Sequence, residues 1–456
     1  MGHVVFAAPS IARLHLHERL NQKLLSRGHE VTTLCTDQVS LRCHDAHHLS
    51  ARLVRSGGSV PPRIPLEEFA IQQCILEGLP HPEPHEIRRR ARQLAVLAAG
   101  VVHFFERELP DLLLVHQGRG GMHRLMHFVA REFGVKVLWT GDGLLPGTQQ
   151  IDTEGIDGDS SACRRSALDY RDLPRDPEFL AAALSAWIAH ALPPPLARSP
   201  RHHPRAWQVL KDLACAVRDR RAGFAREALV QWRCEEPEWP PLPAPAGPGG
   251  GPFVALALQD PTSPRIRLDA PRAPTHEDLA AAVAAAISAI DPALQLVIVM
   301  PERGLSSQNR WRLPENAQLV TATHTAVVAS TALAFVSVNA PLAAGALLAG
   351  TPVLHFGRTP YGVPGVARKT SLDGLLDDMR AALGERNATL RERFLYRILR
   401  RDHVWCSADF PDQNGLRGLV LAIEIALKER GQEGADLRYS PGPTWPLAQS
   451  RRLENS

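Results

Sequence analysis

Residues 237–252 read PEWPPLPAPAGPGGGP, seven prolines and four glycines in sixteen positions. Proline fixes φ and removes a backbone donor, and glycine loses much conformational freedom when ordered, so this run can form neither a helix nor a central strand. It divides the 456-residue chain into two long stretches, each with enough apolar residues to build its own core. That length corresponds to two or three domains at roughly 100–200 residues each. The expected organisation is an N-terminal domain over 1–236, a linker over 237–252, a second domain over 253–430 and a mobile tail over 431–456.

Both stretches alternate short apolar runs with helical patterns, as a parallel sheet with crossover helices does. In the first, strands are expected over 4–8, 31–36, 112–115 and 135–140, and helices over 11–27, 86–108 and 122–133. In the second, strands are expected over 253–258, 296–300, 332–338 and 353–356. Helices are expected over 275–290, where Thr275 and Asp278 form a capping pair, over 341–348, closed by Gly350, and over 416–430. The fold class is therefore α/β, with two Rossmann-like halves facing each other across a cleft. That is the GT-B arrangement of glycosyltransferases, although some dehydrogenases also pair two domains.

Composition removes several classes of function. Fifty-two basic residues against 48 acidic ones leave a formal charge of +4, too balanced for a nucleic-acid surface. Seven widely spaced cysteines contain no C-x-x-C pair, which fits a reducing compartment without structural zinc. No apolar run reaches about 18 residues, and the N-terminus lacks a leader pattern, so a cytoplasmic protein is expected. The turn after the first strand, Pro9 to Arg13, has no glycine to admit a pyrophosphate, and no P-loop, G-x-S-x-G or H-E-x-x-H motif occurs.

The segment VLWTGDGLLPGTQQIDTEGIDGDSS, residues 137–161, carries the most chemistry. Its apolar strand runs into Gly141-Asp142-Gly143, which places a carboxylate at a strand edge with glycines on both sides and little to hinder substrate approach. Asp152, Glu154, Asp157 and Asp159 follow in a stretch too rich in Gly and Thr for a regular helix. Clustered carboxylates supply the nucleophile or base that glycosyl transfer requires, and Asp142, Asp152 and Glu154 are the catalytic candidates. The same dipeptides also serve as plain turns.

This segment resembles bacterial capsule polysaccharide biosynthesis proteins and their lipopolysaccharide relatives, which are similar to β-Kdo transferases using CMP-Kdo. The resemblance implies that Asp142 is the catalytic carboxylate, with Gly141 standing where the family usually carries an acid. In the second half, VALALQD at 254–260 resembles the family's strand ending in Gln, and implies donor contacts by Gln259 and Ser263. LVIVMPERG at 296–304 occupies the place of a His-Pro motif, with Met300 in the histidine's position and Arg303, Glu302 or His324 as compensating candidates. VSVNAPLAAGALLAGTPVLHFGRTPY at 336–361 keeps Asn339 and Tyr361 of the family pattern and has Ala340 for its serine. The amides of the helix opening at Pro341 could also meet a phosphate.

His116 ends a strand before Gly118-Arg119-Gly120-Gly121, and His116 with Arg119 are the expected acceptor contacts. No cofactor and no metal are expected: the one D-x-D, Asp157 to Asp159, sits in a loop, and a CMP-sugar carries a single phosphate. Expected partners are a nucleotide-sugar donor and a glycan or glycolipid acceptor, with peripheral contact to the inner membrane or a glycan-assembly complex left open. Two other readings stay open as well: a transferase using a nucleotide-diphosphate sugar, and a non-catalytic glycan-assembly partner.

Overall fold

The computed structural model describes residues 1–7, 14–35, 46–48, 63–191, 251–299, 313–320, 325–384, 388–407 and 411–428. Of the expected linker only residues 251 and 252 are among them, and the expected tail over 431–456 lies outside. So do the turn at Pro9 to Arg13 and the expected donor-side segment with Met300, Glu302, Arg303 and His324.

The first half runs β1 (His3–Ala7), α1 (Leu14–Ser26), β2 (Glu30–Cys35), β3 (Ala46–His48), α2 (Leu66–Leu76), α3 (Pro84–Glu108), β4 (Leu112–His116), α4 (Gly121–Glu132), β5 (Lys136–Asp142), β6 (Thr148–Asp152) and, after three 3-10 turns, α5 (Pro177–Ala191). The second half runs β7 (Phe253–Ala257), α6 (Pro264–Asp269), α7 (His276–Ile290), β8 (Gln295–Val299), β9 (Ala317–Val320), α8 (Thr325–Thr331), β10 (Ala334–Ser337), α9 (Leu342–Ala349), β11 (Val353–His355), β12 (Arg368–Lys369), α10 (Leu375–Gly384) and α11 (Ala388–Arg397). A π-helical turn, Ile398–Asp402, then leads into β13 (His403–Trp405) and α12 (Gln413–Lys428).

The sheet orders are β13-β6-β5-β4-β1-β2-β3 and β12-β11-β10-β7-β8-β9. The second is parallel throughout; the first is parallel from β3 to β5 and antiparallel at β6 and β13. Counted within each half, both follow the order 3-2-1-4-5-6, so each is Rossmann-like and the chain has the expected GT-B-like α/β architecture. Switch points fall between β1 and β4 and between β7 and β10, where ligands of such sheets bind beyond the strand ends. Continuous apolar runs such as FVALA in β7 and LLLVH in β4 are buried at every position, because helices cover both faces.

The domain boundaries need a correction, since the chain exchanges segments between the halves. Residues 403–428, expected in the second domain, return to the first: β13 pairs with β6 through His403–Gln150, Val404–Gln149 and Trp405–Thr148. Helix α12 then buries Leu416, Leu419, Val420 and Ile423 against Leu16, Leu20, Leu114 and Leu138 of the first half. In the other direction, Tyr170, Leu180, Ala183 and Trp187 join the core of the second sheet with Phe335, Ala343 and Leu347. Trp187 lies so close to α9 that a Cβ on Gly345 would stand 2.2 Å from its ring. Each half leaves an apolar sheet face that its own continuous segment does not cover, and burial of that face draws in the other half's helix.

Candidate functional site

Asp142 ends β5 and is partly exposed. Its Oδ2 accepts a hydrogen bond from Gln117 Nε2 at 2.5 Å, and its Oδ1 faces Gln149 Nε2 at 3.4 Å. Gln117 follows the last residue of β4 with φ +50°, a left-handed backbone uncommon for a residue with a side chain. Its N–H donates to the Thr140 carbonyl at 2.8 Å, so the kinked backbone is pinned to β5 while the side chain reaches the carboxylate. The two glycines beside Asp142 have a different cause from the one expected. A Cβ on Gly143 would meet Thr148 Oγ1 at 2.1 Å and His403 Cδ2 at 2.5 Å, and one on Gly141 would meet Ile156 at 3.2 Å. Close contact with neighbouring residues requires the glycine at 143, while at 141 the contact is tight against the end of a single isoleucine side chain.

The other two catalytic candidates are committed elsewhere. Asp152, 6% exposed, accepts from Glu154 N at 2.7 Å, Gly155 N at 3.2 Å, Ser161 N at 2.9 Å and Ser161 Oγ at 2.7 Å. It organises the loop after β6, and burial pushes its carboxyl up to about 6 against the pull of those donors. Glu154 pairs with Arg164 across the same loop.

On the acceptor side the structure corrects both expected contacts. His116 is 3% exposed beneath α1 and α12, its Nδ1 against Thr140 Oγ1 at 2.9 Å and its ring edge-on to His17 with centroids 5.1 Å apart. The two imidazoles, Gln149, Leu419 and Ile423 line a small cavity there. Burial, helped by His116, holds His17 well below the usual histidine range, and neither of its ring nitrogens has a partner among the described residues. Arg119 is buried and committed to a salt bridge. It crosses to the second half and grips Asp269 with both arms at 2.6 and 2.7 Å, the two side chains 5% and 2% exposed.

That pair anchors a network at the seam. Asp159 accepts from Arg119 at 3.1 Å and from Arg124, with Arg358 of the second half 3.6 Å away. Burial alone would raise its carboxyl, but the three guanidiniums hold it below the usual carboxylate range. Asp157, at φ +52°, takes Arg265 Nε at 2.7 Å. The backbone of Gly158 between them approaches Asp269 so closely that a Cβ would lie 2.0 Å from Oδ1. The two D-x-D carboxylates are thus each turned to guanidiniums.

At the second switch point Gln259 and Asn339 form a closed pair. Gln259 Nε2 donates to Asn339 Oδ1 at 2.9 Å, and Asn339 N donates to Gln259 Oε1 at 2.9 Å. Asn339 Nδ2 continues to the Arg265 carbonyl at 2.9 Å, and Arg265 Nη2 points to the Asp142 carbonyl at 3.4 Å. Arg265 therefore connects the two expected residues Asp142 and Asn339 across the seam. Ser263 caps α6 by accepting from Ile266 N at 3.3 Å. Tyr361, expected at the donor, is fully buried and donates to the Ala340 carbonyl at 2.8 Å, which corrects its expected role to bracing the start of α9. Sequence reading missed Arg265, Gln117, Gln149 and Asp269. Gln117 carried a weak signal as the residue between a strand end and Gly118, whereas Arg265 was one arginine in a chain with few lysines.

No family model matches the chain, and no curated protein matches it. Solved structures similar to it include KpsC, a beta Kdo 2,4 transferase of Thermosulfurimonas dismutans, at 15% identity over 70% of this chain and 88% of that one, with TM-score 0.41. The glycosyltransferase SnogD from Streptomyces nogalater is 16% identical over 93% of this chain and 99% of its own, with TM-score 0.33. CalG4, the calicheamicin glycosyltransferase, is 13% identical over 94% and 99%, with TM-score 0.39. Likeness at this level assigns no residue a role.

Proposed function

We propose that the protein is a glycosyltransferase that moves a CMP-activated ulosonic acid of the Kdo type onto a capsule or lipopolysaccharide glycan, with Asp142 as its reacting carboxylate. The observation that carries the reading is the position of Asp142 at the carboxyl edge of the first sheet. There, glutamine amides meet both of its oxygens, and Arg265 links it to the Gln259–Asn339 pair at the second sheet's switch point. A donor lying across Gln259 and Asn339 would bring its anomeric carbon toward Asp142. In a retaining course Asp142 attacks that carbon and holds a glycosyl ester while CMP leaves; in an inverting course it takes the acceptor's hydroxyl proton. The resemblance of residues 137–161 to the capsule family points to the same carboxylate.

Gln259 then acts by holding Asn339 rather than by reaching the phosphate itself, because both ends of its amide are engaged with Asn339. Among the described residues no helix is long and apolar enough to cross a membrane.

Thermal unfolding with CMP, UDP and GDP tests the donor class. A nucleotide present at 100 times its dissociation constant adds about 2.7 kcal/mol to the folded state, a readily measured rise in Tm. Stabilisation by CMP alone is the expected result. A rise with UDP or GDP only would replace the donor by a nucleotide-diphosphate sugar, and no rise with any of them would favour a non-catalytic assembly role.

A further inference from the structure

We infer that Arg265 is the specificity-determining residue of the site and takes an acidic group on the transferred sugar. The inference rests on the reading of Asp142 as the reacting carboxylate, and it adds what kind of sugar that carboxylate meets.

Several guanidiniums gather at the seam, and what separates Arg265 from Arg119, Arg124 and Arg358 is its contact with Asp142, from Nη2 to the backbone carbonyl. Arg119 is buried and spent on Asp269 and Asp159. Arg124 and Arg358 both turn to Asp159. Arg265 differs. Its Nε is fixed by Asp157 at 2.7 Å, its backbone carbonyl by Asn339 at 2.9 Å, and its Nη2 lies 3.4 Å from the carbonyl of Asp142. Its Nη1 has no hydrogen bond among the described residues, and the side chain stays a quarter exposed. The cation is held through Nε, keeps Nη1 without a hydrogen bond, and lies against the backbone carbonyl of the residue that carries the reacting carboxylate.

Coulomb's law gives such a placement a purpose. A sugar carrying its own carboxylate approaches Asp142 against like-charge repulsion, about 4 kcal/mol for two unit charges 4 Å apart at an effective dielectric of 20. A guanidinium at that point offsets part of the repulsion, although Asp157 already shares its charge, and offers a planar fit to a carboxylate. A neutral hexose can take only hydrogen bonds to its hydroxyls from it, without the charge pairing. The arrangement therefore selects for an acidic sugar, independently of which nucleotide carries it.

Calorimetric titration of wild type, Arg265→Gln, Arg265→Lys and Asp157→Asn with CMP, CMP-Kdo, UDP-glucose and UDP-glucuronate tests this. Wild type should bind CMP-Kdo more tightly than CMP. Arg265→Gln should weaken CMP-Kdo by about 10- to 100-fold, the range of a charge-assisted hydrogen bond, while CMP changes by no more than about twofold. Arg265→Lys, which keeps the charge without the fork, should fall between them. Asp157→Asn breaks the same ion pair but leaves the cation, and should retain the preference for the acid. If CMP-sugars do not bind but UDP-glucuronate outcompetes UDP-glucose and Arg265→Gln abolishes that preference, Arg265 keeps its assignment and the CMP reading fails. The inference is overturned if wild type prefers an acidic sugar in neither series. It is also overturned if Arg265→Gln weakens CMP and CMP-Kdo alike or leaves both unchanged, or if Asp157→Asn loses the preference to the same extent.

Discussion

Gln117 holds the carboxylate of Asp142 at 2.5 Å from a backbone bent to φ +50°, so a left-handed residue on one strand end fixes the rotamer of an acid on the next. Strained backbone of this kind costs about 1–3 kcal/mol and persists where surrounding contacts enforce it, often at reacting centres. Replacement by glycine should relieve the strain and remove the amide together. Gln117→Gly should unfold at least as late as Gln117→Ala, by roughly 1 kcal/mol, yet both should transfer sugar more slowly than wild type with donor affinity little changed. A glycine variant with wild-type turnover would show that the amide does not orient Asp142.

Asp142→Asn keeps the shape and removes the charge, and its Nδ2 can take the side of Gln149, whose contact at 3.4 Å is the longer of the two. Transfer should fall by about 100-fold or more, with CMP binding and Tm close to wild type. Mass spectrometry of wild type with donor separates the two courses, since only attack by Asp142 leaves a sugar on its peptide. Full activity in Asp142→Asn would move the chemistry to another group.

The buried Arg119–Asp269 pair joins the halves, and loss of one partner strands the other's charge. Arg119→Ala should cost about 3–5 kcal/mol in denaturant unfolding, whereas Arg119→Met with Asp269→Leu should recover most of it. Additive losses in the double variant would mean the two residues act separately.

Asp152 makes a pH prediction of definite sign. Its folded carboxyl sits near 6, above the ordinary 3.8, so the folded protein binds this proton more tightly than the unfolded chain. The stability it contributes is therefore complete below about pH 4 and lost as pH rises through 6, a change of up to about 3 kcal/mol. Chemical unfolding between pH 4 and 7 should show this decline in wild type and not in Asp152→Asn. An equal decline in the variant would assign the slope to other groups.

Gly158→Ala should act through the seam. The added methyl would overlap the Asp269 carboxylate, so the variant should unfold about 1–3 kcal/mol earlier, and limited proteolysis should cut between the halves more readily than in wild type. A Gly158→Ala protein of wild-type stability would mean that Asp269 has room to shift.

What the sequence by itself determined is local. The apolar runs of β4 and β7 announce strands buried on both faces, Thr275 caps α7 by accepting from Asp278 N at 3.1 Å, and Gly350 closes α9 at φ +92°. These features depend on side-chain periodicity and on backbone preferences within a few residues, which a linear reading captures. The edge position of Asp142 was legible for the same reason, because an apolar run must end somewhere. Tertiary structure alone decided the rest. His403 to Trp405 is too short to announce a strand and becomes one only where β6 offers an open edge. Gly143 is glycine because Thr148 and His403 press on it, Arg119 is spent on Asp269 across the seam, and Arg265 stands apart from the other arginines through its contact with the Asp142 carbonyl. Apart from the Thr148 contact, these roles arise from segments a hundred or more residues apart, and their energies depend on burial and geometry that exist only once the chain has folded.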